Sequence, residues 1–165
     1  MSDEDDGPEL PFLDEHELAA RTRLFERHEE LLAAAREFGE LAATQGHDWA
    51  ALEIAAADLD KSALFYARVR RDYGASYGAC DWLLSGVRMR EGSPFDPARF
   101  VDICRALYSA TDAVSELITD GLPEAAISAA RSVLGKAATA YYVASLSVVD
   151  YTLSLTRGER PPARR

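Results

Sequence analysis

Residues 48–77 read DWAALEIAAADLDKSALFYARVRRDYGASY, and this stretch decides the fold. Trp49, Leu52, Ala56, Leu59, Ala63, Tyr66, Arg70, Tyr73 and Tyr77 recur at alternating steps of three and four, the spacing that lines one face of a helix packed along a seam. Asp48 stands where an N-cap is wanted. Cys80, Leu84 and Val87 keep the same phase. The pattern therefore predicts one helix over 48–91, about 65 Å long at ~1.5 Å per residue. Gly74 and Gly78 lower the helical propensity, so a kink or break near Gly74–Gly78 is the alternative.

Working outward from that stretch, the same rhythm appears three more times. Before it, Leu24, Leu31, Ala35, Phe38 and Ala42 form a stripe in a helix predicted over 14–45. It opens with Asp14 and Glu17 at capping-box spacing and is followed by Gly46. After it, Glu91-Gly-Ser-Pro-Phe-Asp-Pro97 is a strong loop signal, with Asp96 as N-cap and Pro97 at the first helical position. Phe100, Ile103, Leu107, Ala110, Val114 and Leu117 then mark a helix over 97–120, which Gly121 and Pro123 stop. Ile127, Ala130, Leu134, Ala137, Tyr141, Ala144, Val148, Tyr151 and Leu155 mark a fourth over 123–156. No period-two alternation appears, so no strand is predicted. The expected fold is an all-α, antiparallel four-helix bundle of long helices over 12–157. Residues 1–11 form an acidic lead-in and 158–165 a basic tail, both too polar to build a core.

The charge is unevenly placed. Residues 1–47 carry 13 acidic and 4 basic side chains, so most of the chain's net −10 sits on the first helix and its lead-in. An acidic protein is a poor default partner for nucleic acid, which needs clustered Lys and Arg. The N-terminus lacks the basic and apolar regions of a signal peptide, and a cytoplasmic location is expected. Cys80 and Cys104 stand far apart with no CxxC or Cys/His spacing, so a disulfide framework and a structural zinc site are not expected.

The fourth helix departs from a plain bundle. Beside its main stripe it carries a second one of Tyr142, Leu146, Val149 and Leu153, and between Ser132 and Thr156 only Lys136 and Asp150 are charged. A helix that is apolar nearly all round is buried on most sides. A membrane span over 137–155 fits poorly, because of its Ala, Ser and Thr content and because Asp150 lies inside it. The expectation is a non-enzymatic assembly or interaction protein that homo-oligomerises through this helix at Tyr142, Leu146, Val149 and Leu153, with another protein as the next partner to consider. No cofactor and no catalytic residue is expected on that reading.

Two alternatives attach to charged residues. Glu37 and Glu40 share a helix face, and Glu53 and Asp58 follow on the next helix, a placement that could hold Mg²⁺. Glu37-Phe-Gly-Glu40 resembles the ExxE motif of the all-α nucleotide pyrophosphohydrolases of the MazG type. The resemblance covers about 40 residues and implies metal-dependent phosphohydrolase chemistry. The family's later ExxD is incomplete here, since Ala55 stands three residues ahead of Asp58. The second alternative is a helical RNA-binding or small-subunit protein contacting anions through Arg68, Arg70 and Arg71. Arg70 falls at a seam position, where a charge usually pairs with a carboxylate and fixes register. Of the histidines, His16 and His47 lie near helix ends and His28 is expected at the surface or rim. Arg23 and His28 spell an Rx4H string that resembles the motif of HEPN ribonucleases, but an i, i+5 pair on one straight helix points apart by about 140°.

Overall fold

A computed structural model describes residues 14–44, 46, 48–78 and 87–151. Within them the chain forms α1 (Glu15–Ala43), α2 (Trp49–Tyr77), β1 (Val87–Met89), α3 (Pro97–Thr119), α4 (Glu124–Ser145) and β2 (Val148–Tyr151). The four helices pack on one another around a single core, so the protein is an all-α four-helix bundle.

The helix starts follow from local chemistry. The Asp14 carboxylate accepts from the Glu17 amide, Asp48 from Ala50 and Ala51, and Asp96 from Arg99. Each occupies donors that the first helical turn cannot satisfy internally. At the end of α3, Gly121 takes a φ of 63°, letting its amide reach Ile118 O and the Leu122 amide reach Leu117 O. That pair of bonds is the Schellman closure, which favours glycine.

The sense of the helices is more particular than an up-and-down bundle. Arg21, near the start of α1, reaches Tyr73 near the end of α2, so these two helices are antiparallel. Phe100 at the start of α3 lies 6.1 Å from Tyr141 near the end of α4, so these are antiparallel as well. Between the hairpins the sense is shared. Tyr66 of α2 meets Tyr108 of α3, and one turn further along both helices Arg70 meets Asp112. The end of α4 lies against the end of α1, with Ala138 and Tyr142 on Gly39. α2 therefore ends at one end of the bundle, and β1 and the start of α3 lie at the other, beside the end of α4.

Three expectations are corrected. The second helix does not continue to 91: it ends at Tyr77, within the Gly74–Gly78 stretch where a break is the alternative, and Gly78 leaves with φ 94°. α1 begins level with that point, so a longer α2 would find no helix to pack against, and an unpacked extension containing two glycines is unfavourable. The fourth helix ends at Ser145 instead of 156. Finally, a two-stranded antiparallel sheet exists, pairing Val87 with Tyr151, Arg88 with Asp150 and Met89 with Val148. The register shift between Arg88 and Met89 leaves Val149 without a ladder partner. Arg90 secures the turn, its amide donating to Ser147 O and its guanidinium to Leu146 O. Val87, Met89 and Val148 face the core and cover that end of the bundle. Their β-branched and long side chains suit a pleated, half-buried surface once α4 has run out of partners.

The core follows the predicted stripes: Leu24, Leu31, Ala35, Leu59, Ala63, Tyr66, Tyr73, Phe100, Leu107, Val114, Leu134 and Tyr141 are buried. Trp49 departs from its stripe and is 70% exposed, because it stands at the very start of α2. No helix among the described residues is long and apolar enough to cross a membrane.

Candidate functional site

A polar cluster lies inside the bundle where α1, α2 and α3 meet. His28 projects from α1 into a pocket closed by Tyr66 of α2 and Tyr108 of α3, with ring centroids 5.7 and 5.4 Å away. The three rings form a tilted triangle, Tyr66 and Tyr108 being 5.5 Å apart. His28 and Tyr66 are fully buried and Tyr108 nearly so. The hydroxyl of Tyr108 and Nε2 of His28 share a hydrogen bond, while Nδ1 of His28 is buried with no hydrogen-bond partner among the described residues. The expected rim position of His28 is thus overturned. Its neighbours Leu24 and Leu31, at i−4 and i+3, place it on the core face of α1.

Arg70 closes the cluster on the solvent side. Its guanidinium lies 5.3 Å from the centre of the Tyr108 ring and 6.0 Å from that of Tyr66, and Nη1 sits 3.4 Å from Oδ2 of Asp112. This is the seam pairing that its sequence position implies, and it ties α2 to α3.

Burial governs the electrostatics. Desolvation, with a smaller contribution from the Arg70 charge, pushes His28 down to about 4 from an ordinary 6.5. Tyr108 is raised well above the ordinary tyrosine value, chiefly by burial. Burial also pushes the Cys104 thiol up to about 12. Asp112, half-buried, is raised by desolvation against the opposing pull of Arg70. At neutral pH the His28 imidazole, the Tyr108 phenol and the Cys104 thiol are therefore uncharged. None is presented to solvent, so no solute reaches them without separating the helices.

The sequence-predicted metal residues do not converge. Glu37, Glu40, Glu53 and Asp58 are all exposed, and among the described residues no three His, Cys, Asp or Glu side chains gather as metal ligands would. Asp60, on the same helix, is engaged by Arg131 of α4 at 2.5 Å. Arg68 and Arg71 are exposed, but Arg70 turns inward to Asp112, so the three arginines share no anion-facing surface. His16 is exposed; His47, Cys80 and Leu153 lie outside the described residues.

A second feature lies on the outside of α4. Tyr142 turns toward α1 and is half-buried against Gly39. Leu146 and Val149, by contrast, are each 54% exposed, joined by Val133 at 57% and Val143 at 45%. From Ser132 to Val149 the only charged residue is Lys136. Leu146 and Val149 belong to the second stripe read from the sequence, whereas Val133 and Val143 are not in it, because Val reads equally well as core.

Comparison with protein-family models, curated proteins and solved structures finds no match for this chain.

Proposed function

We propose that the protein is a non-enzymatic assembly module that homo-oligomerises through the outer face of α4. The observation that supports this reading is that apolar surface. α4 is already packed between α1 and α3, yet its outward residues include Val133, Val143 and Leu146, with Val149 beyond its end and Lys136 the one charge between Ser132 and Val149. Several exposed large apolar side chains on one helix and its C-terminal end favour association. A second copy is the occupant we favour, because a nearly uncharged strip offers an unlike partner little electrostatic discrimination and suits self-complementary packing about a twofold axis.

The test is the mass in solution. Light scattering behind a sizing column, at micromolar and then tens-of-micromolar concentration, is expected to give a multiple of 18.1 kDa. Val133→Glu with Val143→Glu is expected to return the mass to one chain with the helical content unchanged. A wild-type mass of one chain at every concentration would rule the reading out.

A further inference from the structure

The buried triangle of His28, Tyr66 and Tyr108 has a consequence independent of oligomerisation. A fully buried imidazole can stay seated only while it is neutral, or if a counter-charge lies within reach. Here no such group faces it. Its own helix surrounds it with Leu24, Leu31 and Leu32, α2 presents Tyr66 and Arg70, and α3 presents Tyr108 with Cys104 and Asp112 nearby. Tyr141 of α4 acts on Tyr108. Among the described residues, the charge that acts on the ring is that of Arg70, of the same sign as an imidazolium, and the one carboxylate in the group, Asp112, is spent on Arg70.

We propose that His28 is an acid-sensitive latch: a proton on its ring unseats α1 from Tyr66 and Tyr108 and opens the bundle along that seam, while the α3–α4 hairpin stays formed. His28 touches α1, α2 and α3, whereas the α3–α4 contact rests on Phe100, Leu107, Val114, Leu134 and Tyr141 with no imidazole in it.

The direction of the pH effect follows from linkage. In the open state His28 binds its proton near 6.5, while in the closed state it resists until about 4. The closed state is therefore fully favoured above about 6.5 and loses ground as pH falls from there toward 4. Asp112 works the other way. Its raised affinity for a proton means that acidification relieves some of the cost of burying it, so its contribution offsets part of the His28 effect.

Hydrogen exchange read by mass spectrometry on the full chain, corrected for the intrinsic pH dependence of exchange, tests the latch. Between pH 7 and about 4.5, protection of the α1 segment around Leu24–Ala35 is expected to fall about tenfold or more, with α4 protected throughout. His28→Phe is expected to abolish that fall. Arg70→Gln, which removes the like charge while keeping His28, is expected to shrink the fall while leaving its onset near pH 6.5, and it decides the matter alone if His28→Phe does not fold. The proposal is overturned if His28→Phe follows the wild-type profile, if Arg70→Gln leaves the size of the fall unchanged, or if α1 and α4 lose protection together.

Discussion

Gly39 of α1 lies directly beneath Tyr142 of α4: a Cβ built on Gly39 would clash with the Tyr142 Cβ and stand 3.0 Å from the Ala138 carbonyl oxygen. The neighbours are a side-chain root and a backbone atom, which cannot rotate away. The α1–α4 contact therefore depends on the absence of a side chain at this position.

Gly39→Ala gains about 1 kcal/mol of helix propensity but forces the two backbones apart, an overpacking cost of about 1–3 kcal/mol. The net expectation is a loss of up to about 2 kcal/mol in urea unfolding. Gly74→Ala is the control. Gly74 lies in α2 with nothing within 4 Å of its would-be Cβ, so the propensity gain of about 0.5–1 kcal/mol should appear as added stability. Equal effects from the two substitutions would contradict the close approach.

Arg70 should matter more than the arginines beside it. Its guanidinium packs on two buried rings and meets Asp112, whereas Arg68 and Arg71 are exposed. Because Asp112 is about half exposed, the ion pair itself is worth little, and most of the effect comes from the ring contacts. Arg70→Ala is expected to cost about 1–2 kcal/mol, and Arg68→Ala or Arg71→Ala less than about 0.5 kcal/mol, by the same denaturation assay.

Cys104 should behave as an apolar core residue. Fully buried, and with its thiol pushed up to about 12, it has almost no thiolate at pH 8. In a Cys80→Ser background, a thiol reagent is expected to label Cys104 only as fast as the protein unfolds, with full reaction in urea. Rapid labelling of the folded protein would show that the α3 face is open.

The start of α3 rests on Asp96, whose carboxylate accepts from the Arg99 amide at 2.7 Å, with Pro97 next in the chain. Asp96→Ala is expected to cost about 1 kcal/mol, and Asp96→Asn a few tenths at most, since the amide oxygen still accepts. Thermal melts of the two variants separate loss of the cap from loss of charge.

Helix starts were legible in the sequence because a cap is a contact between residues two or three apart, as at Asp14, Asp48 and Asp96. The core stripes were legible for a related reason: helical periodicity places Leu24, Leu59, Leu107 and Leu134 inward whatever the neighbours are. The burial of His28 was not, since a histidine inside a stripe reads equally as rim or core until Tyr66 and Tyr108 arrive from two other helices. The candidate metal residues show the converse. Glu37, Glu40, Glu53 and Asp58 are near one another in sequence, but their helices turn them to solvent.

By itself the sequence determined the class of the protein and the location of its four helices, because propensity, capping and period act within a few residues. Tertiary packing set where α2 and α4 stop and which way the helices run. α2 ends at Tyr77 and α4 at Ser145, although the heptad phase continues past both, because a helix persists only where a partner covers its apolar face. The same dependence on partners closes the end of the bundle with Val87, Met89 and Val148 in two strands. It also leaves Val133, Val143, Leu146 and Val149 on the outside, where no helix among the described residues covers them.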